Sequence, residues 1–85
     1  MNKTWIITFR SITFAQKAQR LLRGEMIDAT LQRTPTGLSD RGCSYCLSVR
    51  ERDITAAMEV LRRNQLLTGK IFFRHGEGVW EERTE

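Results

Sequence analysis

Two cysteines, Cys43 and Cys46, are the residues best equipped for chemistry in this chain, and they lie in the run Asp40-Arg41-Gly42-Cys43-Ser44-Tyr45-Cys46. Their C-x-x-C spacing lets the two sulfurs approach each other if the backbone bends at Ser44. A cysteine acts as a nucleophile or a metal ligand through its thiolate. Arg41 supplies positive charge next to Cys43, and Gly42 permits a turn whose N–H groups can face an anion. A thiolate at Cys43 could attack a sulfur donor, hold a persulfide and pass the outer sulfur on. Cys46 could then serve as a resolving thiol that releases the cargo by closing a disulfide.

Other chemistries fit less well. In thioredoxin-like proteins the C-x-x-C opens a helix after a strand, whereas here it leads into strand-like sequence. A structural zinc site takes four ligands. This chain has one cysteine pair and a single histidine, His75, so only a dimer could assemble four thiolates. Cys46 also has a purely structural reading, as a small apolar residue on a strand. There are no paired carboxylates, phosphate-cradling glycine loop or Ser-His-Asp set. Arg10 and Arg50 are expected at equivalent strand ends, where they could share an anion but are better read as solvated charges. His75 reads as a turn residue, and Trp5 and Phe14 as core rather than stacking platforms.

The elements that must position the pair follow from periodicity. Thr4–Arg10 alternates Trp5, Ile7 and Phe9 against Thr4, Thr8 and Arg10, which predicts a strand. Ser11 or Thr13 can cap a helix with Phe14, Ala18, Leu21 and Leu22 on its apolar face, closed by Gly24. Residues 27–33 predict a second strand. Residues 34–42 (TPTGLSDRG) form a loop rich in turn formers, the kind of long loop in which function often resides. Tyr45–Arg50 predicts a third strand, with Tyr45, Leu47 and Val49 on one face and Cys46, Ser48 and Arg50 on the other. Asp53 can cap a second helix, whose stripe is Ile54, Ala57, Met58 and Leu61. Lys70–Arg74 predicts the fourth strand.

The two halves echo each other at an offset of 40 residues: Ile7-Thr8-Phe9-Arg10 against Leu47-Ser48-Val49-Arg50, Phe14 against Ile54, Ala18 against Met58 and Leu21 against Leu61. Duplicated strand-helix-strand units predict an α+β fold: a ferredoxin-like βαββαβ sandwich, with a four-stranded antiparallel sheet and two helices on one face. Residues 1–74 form the single domain and residues 75–85 a C-terminal tail anchored by Val79-Trp80. The open sheet face would carry Ile6, Thr8, Thr30, Gln32, Cys46, Ser48 and Phe72. Its apolar members predict a cover, either that tail or a second copy in a homodimer.

Composition narrows the function classes. Eighty-five residues support one small core, and 40% apolar with 28% charged residues is globular rather than disordered. No apolar run is long enough to cross a bilayer. Met1–Trp5 leads into strand sequence without a signal segment, so a cytoplasmic location is expected, where paired cysteines are more often catalytic or metal-binding than structural. The net charge of +4 mildly favours anionic partners, but most of the arginines belong to predicted outer helix faces. A nucleic-acid role is not expected.

Several of these residues together resemble a known family. The pattern comprises Phe9-Arg10-Ser11, the helix motif of Ala18, Leu21 and Leu22, Pro35 with Leu38-Ser39, and Gly42-Cys43 leading into Tyr45-Cys46-Leu47-Ser48-Val49. It is similar to the small selenium/sulfur carrier protein-like family over about residues 4–74. The resemblance implies a cytoplasmic carrier of sulfur or selenium with Cys43 as the family's cysteine, and with donor and acceptor proteins as partners. Cys46 departs from the pattern, in which a small residue is common. The reading is therefore a carrier without a cofactor rather than a turnover enzyme. Cys43 and Cys46 are its candidate reactive residues, and Arg41, Gly42, Pro35 and Ser39 its candidate binding residues. The alternatives are a non-catalytic binding or regulatory module using the sheet or the Pro35 loop, and a dimeric metal module held by the C-x-x-C.

Overall fold

The computed structural model describes residues 3–38 and 45–83. Five strands and two helices follow along the chain: β1 (Lys3–Phe9), α1 (Ile12–Gly24), β2 (Ala29–Arg33), β3 (Tyr45–Arg50), α2 (Ile54–Arg63), β4 (Ile71–His75) and β5 (Glu81–Glu82). A single 3-10 turn, Glu51–Asp53, leads into α2. The strands form one antiparallel sheet in the order β2-β3-β1-β4-β5.

Alternation in β1 and β3 divides the sheet as its sequence pattern implies, because successive strand side chains point to opposite faces. Trp5, Ile7, Phe9, Leu47 and Val49 are buried on one face beneath both helices. The helices supply Ala15, Ala18 and Leu22 from α1 and Ile54, Ala57, Val60 and Leu61 from α2. Small alanines at the contact let the helices lie close to the sheet. Gln19 anchors α1 to β2 by donating from Nε2 to the Ala29 carbonyl at 2.9 Å.

The helix faces differ in detail from the sequence reading. Phe14 is 46% exposed, and Met58 is only partly buried. The buried positions correspond as Ala15 with Ile54, Ala18 with Ala57 and Leu22 with Leu61, an offset of 39 rather than 40. The extra residue of the strand repeat is absorbed between strand and helix, where packing rather than spacing sets the phase.

Both helices end in the same way. Ile27 N–H bonds the Leu22 carbonyl and Met26 N–H that of Arg23; Leu66 N–H bonds Leu61 and Gln65 N–H bonds Arg62. These paired six-to-one and five-to-two bonds define Schellman caps. Their left-handed residues are Met26 at φ 62 and Gln65 at φ 59. Gly24, expected to stop α1, is instead its last helical residue, two positions too early for the left-handed site. At the other end of α1, Ser11 is the N-cap and its Oγ accepts from Phe14 N–H, as its residue type predicts.

The four-stranded sheet expected from sequence is extended by a fifth strand. After β4 the chain turns through Gly76, whose φ is +55, with Gly78 N–H bonded to the His75 carbonyl at 2.8 Å. It then returns so that Glu81 pairs with Phe73 and Glu82 with Phe72. Two glutamates carry no hydrophobic alternation, so periodicity has nothing to detect there. Their charge also suits an edge that must not recruit further strands.

The second sheet face has a small core of its own. Ile6, Cys46 and Phe72 are buried there, with Leu38 and Trp80 packed over them. The expected cover is therefore provided within the chain, by Trp80 and by Leu38 from the loop after β2. Val79, named with Trp80 as the anchor, is exposed and does not share in it.

Candidate functional site

Four of the sequence-derived site residues, Ser39, Arg41, Gly42 and Cys43, lie outside the described residues. Pro35 and Cys46 lie within them. Pro35 opens a turn after β2, in which Leu38 N–H bonds the Pro35 carbonyl at 3.1 Å. Proline presets the backbone for such a turn, and the turn returns Leu38 onto the sheet face that holds Cys46.

Cys46 is a free cysteine and 0% exposed. Its position in β3 is fixed by two ladders, opposite Thr8 of β1 and Gln32 of β2. The thiol donates weakly to the Arg33 carbonyl, with Sγ 3.8 Å from the oxygen. Burial pushes the Cys46 thiol above its ordinary range; side-chain hydrogen bonds from Thr34 and Gln32 act in the other direction without cancelling it. A proton is therefore harder to remove from Cys46 than from a thiol in water, and an incoming disulfide or persulfide has no open path to it. Cys46 is thus enclosed, with its thiol biased toward the protonated form.

Tyr45 marks the point where the chain re-enters the described sheet. It pairs with Phe9 on one side and Arg33 on the other. The Arg33 guanidinium carbon lies 5.5 Å from the Tyr45 ring centroid, within cation–π range. Arg10 directly follows Phe9. Cys43 is two residues before Tyr45 in the chain. Positive charge therefore borders the attachment point of the cysteine segment from both neighbouring strands.

That register also separates the two arginines once considered together. Thr4 lies opposite Arg50, and Phe9 opposite Tyr45. Arg10 and Arg50 consequently stand at opposite ends of the antiparallel β1–β3 pair, six residues or roughly 20 Å apart along the strand, and cannot share a small anion. Repeat halves equivalent in sequence run antiparallel in space, so like positions fall at unlike ends.

Leu38, Gln32, Arg33 and Thr34 were not singled out by residue chemistry, although all four border Cys46. One signal existed: Leu38 is the lone apolar residue in the otherwise polar stretch 34–42. His75 ends β4 with its ring edge-on to Phe73 at 6.0 Å and, among the described residues, stands in no cluster of potential ligands. Among the described residues no group of three or more His, Cys, Asp or Glu side chains could hold a metal ion. Nor is any described helix long and apolar enough to cross a membrane.

Comparison with curated proteins and with solved structures gave no match. A family model does match residues 4–72, well over half of the chain, and takes in both cysteines, the Pro35 turn, β1 from Thr4, all of β2 and β3, and the start of β4. The chain thus belongs to the family described as "Putative Se/S carrier protein-like".

Proposed function

We propose that this protein carries sulfur or selenium as a persulfide or selenosulfide on Cys43, in the cytoplasm, between a donor protein and an acceptor protein. One observation carries the reading beyond the family name. Of the two thiols in the chain, that of Cys46 is enclosed and biased toward the neutral form, which leaves Cys43 as the cysteine for exchange chemistry. The order β2-β3-β1-β4, with both helices on one face, fits the ferredoxin-like βαββαβ sandwich with β5 added at its edge. In the chain Cys43 precedes by two residues the start of β3, which is flanked by the strand ends that carry Arg10 and Arg33. Positive charge there favours a thiolate and, once loaded, a persulfide anion.

Loading is a thiol exchange. The Cys43 thiolate attacks the outer sulfur of a donor persulfide, a new S–S bond forms, and the donor's sulfur–sulfur bond breaks to release the donor thiolate. Unloading to an acceptor repeats the step in reverse, with the acceptor thiolate taking the outer sulfur and Cys43 leaving as thiolate. No net oxidant is consumed. Release through a Cys43–Cys46 disulfide would expel hydrosulfide, but it would first require uncovering Cys46, so direct hand-over is the proposed route. A homodimer through the open sheet face is not part of this proposal, since Leu38 and Trp80 already cover its apolar centre.

The test is intact-mass spectrometry after incubation with a persulfidated cysteine desulfurase. Wild type and Cys46→Ala should each gain one sulfur atom that a reductant removes, and Cys43→Ser should gain none. Persistence of the adduct in Cys43→Ser, or no adduct on wild type under conditions that load an established carrier, would reject the proposal.

A further inference from the structure

A cavity of about 600 Å³ opens at the end of β3 remote from Tyr45, a volume within the range typical of small-molecule sites. Its floor spans three strands. Thr30 of β2 stands opposite Ser48 of β3, and Thr4 of β1 opposite Arg50, so three hydroxyls line the recess.

The charges on its wall are of both signs, and most have local work. The Glu51 carboxylate accepts the indole N–H of Trp5 at 2.5 Å. The Lys3 ammonium lies over the rings of Trp5 and Phe73, 5.6 and 4.8 Å from their centroids. Arg52 sits 3.9 Å from Asp53. Two charges remain, Asp28 and Arg50. Asp28 precedes Ala29, the partner of Val49, so the two close the same end of the β2–β3 ladder. Both line the cavity, yet among the described residues they form no ion pair.

We infer that this cavity binds a small zwitterion of the α-amino-acid class. The ligand carboxylate would lie against the Arg50 guanidinium, which can grip it through two N–H donors. Its ammonium would lie against the Asp28 carboxylate. The hydroxyls of Ser48, Thr30 and Thr4 would satisfy polar atoms of the ligand at the floor. A simple anion would leave Asp28 facing like charge, and a simple amine would do the same at Arg50, so the pair selects for both charges in one molecule. This site lies at the end of β3 opposite Tyr45 and does not depend on sulfur carriage.

The experiment is a titration followed by backbone amide NMR, using each of the common α-amino acids, then acetate, ethylamine and inorganic phosphate at matched ionic strength. At least one amino acid should saturably shift the amides of Thr30, Ser48 and Arg50. Asp28→Asn and Arg50→Gln, each with an otherwise wild-type spectrum, should weaken that binding tenfold or more. Acetate and ethylamine should not saturate. The inference is overturned if no amino acid binds saturably, if phosphate or acetate binds as tightly as the amino acid, or if Asp28→Asn leaves affinity unchanged.

Discussion

Replacing Cys46 by alanine separates a structural thiol from a working one. The substitution removes one sulfur atom from a site that is 0% exposed and enclosed by Ile6, Phe72, Leu38 and Trp80. The lost transfer energy is comparable to that of a buried methylene, about 0.8 kcal/mol. The void left behind, on the order of 20 Å³, adds about 0.5 kcal/mol at the cost per volume found for buried truncations. The weak thiol contact to the Arg33 carbonyl, at 3.8 Å, adds little. A loss of about 1.3 kcal/mol follows, which for a domain of this size lowers Tm by roughly 5–10 °C. Thermal unfolding by circular dichroism measures it, and the sulfur-loading assay on the same preparation measures function. The expected result is reduced stability with loading and hand-over at wild-type rates. An unchanged Tm together with lost hand-over would refute the reasoning, because Cys46 would then be a reacting thiol rather than part of the second core.

Two further outcomes follow from the geometry. Met26 occupies the left-handed C′ position of α1 and its side chain is 93% exposed, so Met26→Gly should relieve backbone strain without loss of packing and raise stability by about 1 kcal/mol; urea unfolding would show a higher midpoint at unchanged slope. Because burial raises the Cys46 thiol above its unfolded value, the folded state holds its proton after the unfolded chain has lost it. That contribution is intact below the ordinary thiol range and is lost as pH rises through the folded pKa. Wild type should therefore lose stability more steeply than Cys46→Ala from about pH 8.5 upward, measured as urea midpoints; parallel profiles would count against an enclosed thiol.

Much of the scaffold is legible in the residues. Alternation in Thr4–Arg10 and Tyr45–Arg50 correctly sorts Trp5, Ile7, Phe9, Leu47 and Val49 to one face, because side-chain direction in a strand has period two wherever the strand lies. Ser11 is readable as a cap because its hydroxyl can satisfy an amide three residues on. The helix phases are less legible. Phe14 carries a stronger hydrophobic signal than Ala15, but it is Ala15 that is buried where α1 meets the sheet. Gly24 attracts the role of helix stop by residue type, whereas the chain adopts the left-handed conformation at Met26 and Gln65, held there by the Schellman bonds and by Ile27 and Leu66 packing back onto the core.

The candidate site divides along the same line. Sequence by itself determines the pair of cysteines and their spacing, the strand that bears Cys46, the face toward which it points, the polar loop that precedes Cys43 and the resemblance that led to the family. Those features are local, set by covalent order and the two-residue period of a strand. Only the tertiary structure decides what lies upon that face. Leu38 and Trp80 reach Cys46 from 8 and 34 positions away in the chain; through them a thiol that spacing alone marks as a partner for Cys43 becomes an enclosed member of a second core, its proton held more tightly than in water. Likewise, the antiparallel register alone parts Arg10 from Arg50, and chain reversal alone brings Asp28 to the rim beside Arg50. Burial and register are long-range properties, fixed when strands distant in sequence pair and the loops between them close over the result.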